Sequence, residues 1–259
     1  MSEVELLSEV RGATLWLTFN RPQARNALTF GMYESLADAC RTVPTDGSIK
    51  AVVINGAGGK AFAAGTDMTQ FRAFETEQDA LEYEGRIDSV LESVETCPLP
   101  TIAAIHGACT GGGAAIAVAC DLRITSASLK YGFPIARTLG NCLAASNLRR
   151  MSDLIGAGRV KDIIFTARLM GAEEALAAGL VSEVLEDEPA LLARASELAE
   201  LLGGMAPLTL RATKEALRRN REATKVEDSD LIASCYMSDD FREGMEAFLG
   251  KRKPVWTGK

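Results

Sequence analysis

The stretches AFAAGTD, residues 61–67, and HGACTGGGAA, residues 106–115, decide the fold of this chain. Each follows a run rich in β-branched and small apolar residues and leads toward a helix, so each can present backbone N–H groups that no helix carbonyl accepts. Two such donors aimed at one point stabilise an oxygen that gains negative charge during a reaction. The two stretches therefore predict a pair of strand-to-helix turns that together bind an oxyanion.

Each stretch also has a plainer interpretation when it is taken alone. Gly65 permits a tight backbone approach and Asp67 is placed to cap a following helix, as in an ordinary strand-to-helix turn. The glycine triplet at 111–113 could equally cradle a phosphate or mark a close packing contact, with the N–H of Gly112 in line with the helix dipole. The spacings of a P-loop and of the dinucleotide-binding fingerprint are both absent.

The composition is that of a globular protein with one large core and a helical appendage. The chain has 259 residues, of which 47% are hydrophobic and 24% are charged. The net charge of -7 argues against a nucleic-acid partner, because a phosphate polymer selects a basic surface. We find neither a secretion signal nor an apolar run long enough to span a membrane, so we expect a cytoplasmic protein with no membrane partner.

Cysteine and histidine usage predicts no metal site. The six cysteines have no ligand spacing, and only one histidine is present. We expect the cysteines to be reduced thiols, and Cys109 and Cys142 to act as nucleophiles only with a lowered pKa. His106 ends a predicted buried strand, where we expect a structural role with its hydrogen bonds satisfied.

Hydrophobic periodicity predicts strands and helices in the first half of the chain and mainly helices after residue 141. Residues 4–19 alternate around Gly12, as in a β-hairpin, and Thr29 is placed to cap the first helix. The other predicted strands are 51–54, 101–105, 122–125 and 180–184. The other predicted helices are 77–94, 114–119, 147–155, 159–165, 172–178, 189–202 and 207–219, with one or two more between 226 and 248.

We divide the chain into a core, residues 1–200, and a helical oligomerisation region, residues 201–259. In the second region, the apolar residues Leu231, Ile232, Tyr236 and Met237 are expected to cover a neighbouring subunit.

Taken with motifs along the whole chain, the two glycine stretches resemble the enoyl-CoA hydratase/isomerase family, also called the crotonase family. Because several spaced motifs occur in order, the match is specific. The matching motifs are NRP 20–22, RNAL 25–28, AFAAGTDM 61–68, IHG 105–107, GGG 111–113, ACDLRI 119–124, FTAR 165–168, AEEA 172–175, GLV 179–181, EGM 243–245, AFL 247–249 and KRKP 251–254.

The resemblance implies an α/β fold, a spiral of repeated ββα units with a carboxy-terminal helical trimerisation region. It implies an acyl-CoA thioester as substrate, no separate cofactor, and a homotrimer or a dimer of trimers. The backbone N–H groups of Thr66 and Gly112 would hold the thioester carbonyl and stabilise an enolate, each contributing about 3 kcal/mol to the transition state. The residues implied to bind CoA or substrate are Arg25, Ala27, Ala64, Thr66, Asp67, Met68 and Gly112. Arg25 and residues 251–253 either face the CoA phosphates or are solvated charges.

The chain departs from the family pattern where a general acid or base is expected. Hydratases of the family carry one glutamate shortly after the glycine triplet and a second after a proline further on. The corresponding positions here are Ala115 and Ile135, or Ala136 with a one-residue shift, and alkyl groups transfer no protons.

Other polar residues near these positions are candidates for part of that role. Arg137 and Asn141 are tentative catalytic residues that would orient a carbonyl, a carboxylate or a water molecule. Asp67, Tyr83 and Glu84 border the first glycine stretch; we expect Asp67 to be a helix cap and the other two to face solvent.

Three functions are consistent with these residues. The first is an enzyme of the enoyl-CoA hydratase/isomerase family, a lyase or isomerase that stabilises a thioester enolate with Thr66 and Gly112. The second is a decarboxylase of malonyl-type acyl-CoA in which Arg137 or Asn141 places the carboxylate. The third is a non-catalytic acyl-CoA-binding homologue that has lost the acid-base pair.

Overall fold

Two β-sheets frame the protein in the computed structural model, which describes residues 4–259. The larger sheet has six strands in the order β1-β2-β3-β5-β7-β9, and the smaller has three in the order β4-β6-β8. The strands are β1 (Leu6–Arg11), β2 (Thr14–Phe19), β3 (Ala51–Gly56), β4 (Ala61–Ala63), β5 (Thr101–Ile105), β6 (Ala108–Thr110), β7 (Leu122–Ser126), β8 (Lys130–Gly132) and β9 (Glu183–Leu185). The helices are α1 (Phe30–Thr42), α2 (Glu77–Glu95), α3 (Gly112–Ala119), α4 (Ile135–Thr138), α5 (Ala145–Phe165), α6 (Ala172–Ala177), α7 (Glu188–Gly203), α8 (Pro207–Glu222), α9 (Ser229–Tyr236) and α10 (Asp239–Leu249).

A repeated ββα unit builds both sheets. In each of three successive units, one strand joins the larger sheet, the next joins the smaller sheet, and a helix follows: β3-β4-α2, β5-β6-α3 and β7-β8-α4. Neighbouring strands from successive units are parallel in both sheets. The predicted α/β spiral of ββα units is therefore confirmed.

Burial explains why the repeat is stable. Strands β3 and β5 are buried along their full length, as expected for parallel strands covered on both faces. Helices α1, α2 and α3 cover one face of the larger sheet, whereas α7 covers the other with Leu191 and Ala195. The hairpin β1-β2 closes one edge, where antiparallel β1 is mostly exposed.

Most of the predicted element boundaries agree with the structure, with two exceptions. The strand predicted at 180–184 begins only at Glu183, because Leu180 and Val181 are buried in a loop and pairing with β7 starts at Ile124. Helix α5 spans both predicted helices, 147–155 and 159–165, with non-helical backbone at Gly156 between them.

The prediction of the surface that contacts a neighbouring subunit is partly wrong. Ile232 and Tyr236 are buried within this chain, where Tyr236 packs against Phe241 with ring centroids 4.8 Å apart. Leu231 is 61% exposed, so only part of the predicted surface faces outward. Within residues 4–259, no helix has the length and apolarity needed to cross a membrane.

Two helical glycines provide a matched test of packing. A Cβ on Gly113, in buried α3, would lie 2.4 Å from the carbonyl oxygen of Ala63, whereas a Cβ on exposed Gly85, in α2, would meet nothing within 4 Å. We expect Gly113→Ala to lower the free energy of unfolding by roughly 1–3 kcal/mol through overpacking. Gly85→Ala should instead raise it by roughly 0.5–1 kcal/mol through reduced chain entropy. Urea unfolding of both variants checks the pair, and equal effects would contradict the close approach of α3 to β4.

Candidate active site

The two glycine stretches meet because their strands are neighbours. Strands β4 and β6 are parallel and adjacent, so the turns that follow them leave the same edge of the smaller sheet. Gly65 and Gly111 both have positive φ, 104° and 52°, which favours glycine. A Cβ on Gly111 would lie 3.3 Å from the Cα of Gly65, so the two turns are in close contact.

The turns leave two backbone N–H groups unpaired. On either side of Thr66, the N–H of Leu28 donates to the carbonyl of Gly65 and the N–H of Asp67 donates to that of Leu28, each at 2.8 Å. Gly112 is the first residue of α3, where a helix offers no acceptor. Throughout the described chain, residues 4–259, neither the N–H of Thr66 nor that of Gly112 donates to a protein acceptor.

Two tyrosines, buried Tyr33 and half-buried Tyr83, fix the side chain of Thr66. Its hydroxyl shares hydrogen bonds with the hydroxyls of Tyr33 and Tyr83, each at 2.9 Å. The Tyr33 hydroxyl also occupies the space beside Gly112, where an added Cβ would lie 1.8 Å from the phenol oxygen. Gly112 therefore has to be glycine for this tyrosine to reach both turns.

The turns open into a largely apolar cleft with about 830 Å³ of empty space, counted to its open mouth. Its apolar lining includes Met68, Phe71, Ile87, Phe133 and Leu143. Ala115 and Ile135, the positions where the family pattern has glutamates, also line it. The cleft is therefore suited to an apolar group attached to a polar one held by the two N–H donors.

Glu84 is the one carboxylic acid among the described residues that line the cleft. Its side chain is buried, and the Tyr236 hydroxyl donates to its Oε1 at 2.6 Å. Burial raises the pKa of Glu84 to about 7, against the hydrogen bonds from Tyr236 and the backbone of Ala144. The carboxylates of Asp228 and Asp88 also raise it.

The prediction that Tyr83 and Glu84 face solvent is therefore wrong. Position 84 lies on the same face of α2 as the buried residues Ala80, Ile87 and Leu91, which recur at helical spacing. The sequence itself shows this helical spacing, which predicts that Glu84 lies on the buried face of α2. Tyr83 packs its ring against Phe71 at 4.8 Å between centroids.

Of the two tentative catalytic residues, the structure brings only Asn141 to the cleft. Its Nδ2 donates to the Tyr236 hydroxyl at 3.1 Å, and its buried Oδ1 has no hydrogen-bond partner among residues 4–259. Arg137 is exposed on α4 and does not line the cleft.

The residues predicted to bind CoA lie in several places. Ala64, Thr66, Met68 and Gly112 line the cleft, whereas Arg25, Ala27 and Asp67 do not. Arg25 is exposed with a φ of 50°, and its carbonyl accepts the N–H of Ala64 at 3.1 Å.

Asp67 caps the short 3-10 helix at Met68–Ala73, as predicted, by accepting the N–H of Thr69. Partial burial raises its pKa, but bonds from Thr69 and the Arg21 guanidinium outweigh this effect and lower it. In the carboxy-terminal basic motif, Arg252 is paired with Glu243.

The two cysteines and the histidine considered in the sequence analysis are not placed to transfer protons in this cleft. Burial raises the pKa of Cys109, and a hydrogen bond with Cys235 raises that of Cys142, so neither thiol is activated. His106 is buried outside the cleft. The prediction that its hydrogen bonds are satisfied is wrong. Its ring nitrogens have no hydrogen-bond partner within residues 4–259, and Glu188 approaches only to 3.7 Å.

The chain belongs to the enoyl-CoA hydratase/isomerase family, whose family model matches residues 9–259. One relative is the short-chain-enoyl-CoA hydratase of Clostridium acetobutylicum, 32% identical over 257 residues that cover 96% of this chain and 95% of the relative. Another is the crotonyl-CoA hydratase of Syntrophomonas wolfei, 32% identical over 247 residues and covering 94% of each chain.

Solved structures agree with this membership. An enoyl-CoA hydratase/carnithine racemase from Magnetospirillum magneticum is 36% identical, with a TM-score of 0.79 over 100% of this chain and 97% of that one. A methylmalonyl-CoA decarboxylase complexed with 2S-carboxypropyl-CoA is 26% identical, with a TM-score of 0.89 over 100% of both chains. The fold is thus shared by family members whose names denote different reactions.

The buried position of Glu84 predicts a pH-dependent cost to stability. Its folded pKa of about 7 exceeds the ordinary value of 4.5, so the folded protein binds more protons between these pH values and loses stability as the pH rises through them. Glu84→Gln cannot ionise and should avoid this loss. Relative to the variant, we expect the wild type to lose roughly 2 kcal/mol of unfolding free energy between pH 5 and pH 8.

Denaturant unfolding of both proteins at both pH values measures this difference. Exposed Glu82 on the same helix provides the control, because Glu82→Gln should follow the wild type at both pH values. A wild type and a Glu84→Gln variant with parallel pH dependence would contradict the burial of an ionisable group at position 84.

Proposed function

We propose that this protein is an enzyme that acts on an acyl-CoA thioester through an enolate held by the backbone N–H groups of Thr66 and Gly112. The observation that carries the proposal is the meeting of two unpaired N–H groups at the mouth of an apolar cleft. Membership in the enoyl-CoA hydratase/isomerase family supports the acyl-CoA substrate class.

The physical basis of this proposal is differential hydrogen bonding. When the α-carbon of a thioester loses a proton, the electron pair of the C–H bond forms a carbon–carbon double bond and the carbonyl oxygen becomes an enolate oxygen. Two fixed donors bind this charged oxygen more strongly than the neutral carbonyl, so they lower the barrier. The tyrosine contacts to Thr66 hold one donor in place before the reaction.

The apolar lining defines the acyl group. Phe71, Ile87, Ala115, Phe133 and Ile135 offer contact surface and no hydrogen bonds from their side chains. An unsubstituted alkyl or alkenyl chain fits this lining better than a polar one. Hydration of a double bond through two carboxylates is not supported, since Ala115 and Ile135 stand where the family pattern has them.

We also propose that the protein assembles as a homotrimer or a dimer of trimers, without a separate cofactor. The exposed leucines of α8, Leu208 at 74% and Leu217 at 65%, support self-association. The exposed part of the predicted interface, Leu231 on α9, adds to this apolar surface.

The role of the Gly112 N–H is tested by removing only that N–H. Proline is tolerated at the first position of a helix and lacks the donor, whereas alanine adds a similar Cβ and keeps it. Both substitutions need Tyr33→Phe, because the tyrosine hydroxyl would clash with the new Cβ. We expect Tyr33→Phe/Gly112→Pro to exchange the α-protons of butyryl-CoA with D₂O on the order of 100- to 1000-fold more slowly than Tyr33→Phe/Gly112→Ala.

Mass spectrometry of the recovered thioester measures this exchange, and calorimetry measures its binding to each variant. Equal exchange by the two variants would contradict the role of the Gly112 N–H. A wild-type protein that binds butyryl-CoA without exchanging its protons would instead favour the non-catalytic acyl-CoA-binding homologue.

Decarboxylation of a malonyl-type thioester is a second candidate. The observation that favours it is the likeness to the methylmalonyl-CoA decarboxylase structure, at a TM-score of 0.89. Loss of CO₂ breaks a carbon–carbon bond whose electron pair forms the same enolate, and a proton then takes the place of CO₂. Asn141, not the exposed Arg137, is the residue in position to place the carboxylate.

Decarboxylation predicts CO₂ release from methylmalonyl-CoA well above the rate without enzyme. Asn141→Ala should slow this release by about tenfold or more, because an amide that positions a reacting group contributes through orientation. Trapping of labelled CO₂ measures the rate. Release that does not exceed the enzyme-free background would exclude this second candidate.

A further inference from the structure

We propose that Glu84 is the group that removes and returns the proton at the α-carbon of the bound acyl thioester, and that Tyr236 and Asn141 are its positioning residues. This inference rests on the proposed function and adds the proton carrier that the positions of Ala115 and Ile135 lack. It assigns the role to α2, the helix that follows the first glycine stretch.

The position of Glu84 is the first argument. Glu84 lines the same cleft as Thr66 and Gly112, and its neighbour Tyr83 is hydrogen-bonded to Thr66 at 2.9 Å. A carboxyl group there faces the same bound acyl group as the two N–H donors. The thioester oxygen that would gain negative charge and the Glu84 carboxylate that would accept the proton would thus lie in the same cleft.

The hydrogen-bond chain on Glu84 is the second argument. Asn141 donates to the Tyr236 hydroxyl, and this hydroxyl donates to Oε1 of Glu84 at 2.6 Å. The backbone of Ala144 also hydrogen-bonds to this carboxyl group. The carboxyl group is therefore fixed in the lining of the cleft, where it faces the space that the acyl group would occupy.

Exclusion of other groups is the third argument. Among the described residues that line the cleft, the only titratable side chains besides Glu84 are Tyr83 and Tyr236, and burial raises the pKa of both phenols well above 10. Asp67 lies outside the lining and is paired with Arg21 at 3.0 Å. Among the described lining residues, only Glu84 can change protonation state near neutral pH.

The surroundings of Glu84 set the pH at which it works. The titratable groups that face it are Tyr83 and Asp88 on α2, Tyr33 on α1, Asp228 and Tyr236 at and on α9, and Cys142 before α5. Asp88 is itself paired with Arg150 at 2.6 Å. Burial and the nearby carboxylates keep Glu84 protonated to higher pH than an ordinary glutamate, which suits a group that both accepts and donates a proton.

A single proton carrier restricts the reaction class. The Glu84 carboxylate takes a proton from the α-carbon, the C–H electron pair enters the enolate, and the resulting carboxylic acid returns the proton to the same or another carbon of the extended enolate. No water, oxidant or second base is consumed. The site therefore fits α-proton exchange and double-bond migration better than addition of water, which uses two acid-base groups.

The experiment is α-proton exchange of butyryl-CoA in D₂O, followed over pH 5–9 with the full-length protein. For the wild type we expect a rate that rises with pH through a midpoint of about 7 and then levels off. Glu84→Gln should reduce the plateau rate at least 100-fold while calorimetry shows binding within about threefold of wild type. Glu82→Gln, an exposed change of the same charge on the same helix, should leave rate and midpoint unchanged.

Two further variants separate a chemical role from a structural one. Glu84→Asp keeps a carboxylate and should recover part of the exchange with the same rising pH limb. Tyr236→Phe removes a hydrogen bond that favours the charged form of Glu84, so the midpoint should move up by about 0.5 pH unit or more. If Glu84 had only a structural role, Glu84→Asp would not recover exchange and Tyr236→Phe would not shift the midpoint of the pH profile.

The outcomes distinguish this inference from the proposed function. Exchange by Glu84→Gln at the wild-type rate would overturn the role of Glu84 and leave the enolate proposal standing. A wild type that binds butyryl-CoA and exchanges nothing would overturn both. Loss of exchange in Glu84→Gln together with the shifted midpoint in Tyr236→Phe supports the inference.

Discussion

The contact of one tyrosine hydroxyl with two backbone turns is the constraint on which this site depends. Tyr33 reaches from α1 to Thr66 in the first turn and fills the space beside Gly112 in the second. Side chains at Gly111 or Gly112 would push the turns apart, and the two N–H groups would no longer face one cleft. Burial of the tyrosine also makes this arrangement rigid, since its hydroxyl has no solvent with which to exchange partners.

The sequence predicted this half of the site well because backbone donors depend on glycine spacing and on strand-to-helix turns, which are local features. The parallel pairing of β4 and β6, which brings the two turns together, is visible only in the structure. The burial of Glu84, the proposed proton carrier, was not predicted. Glu84 was assigned to solvent on its charge, although its spacing from Ala80 and Ile87 placed it on the buried face of α2. Its partner Tyr236 lies 152 residues further along, a contact that no local pattern predicts.

Burial disfavours the charged form of Glu84, so this side chain affects both the stability of the fold and the pKa of the site. A buried carboxylate costs folding free energy unless it is fully bonded, and here the bonds from Tyr236 and Ala144 compensate for only part of the burial. The fold tolerates the cost because large cores on both faces of the main sheet supply apolar burial elsewhere. Strained electrostatics of this kind concentrate at functional sites.

The bond between Tyr236 and Glu84 also gives the chain an order of assembly during synthesis. The ββα spiral, with the two unpaired N–H groups, is synthesised before α9, which carries Tyr236. Until α9 packs against α2, the Glu84 carboxyl group lacks the hydroxyl donor that Tyr236 supplies. The carboxy-terminal helices thus supply the hydrogen bond that holds the Glu84 carboxyl group in the cleft.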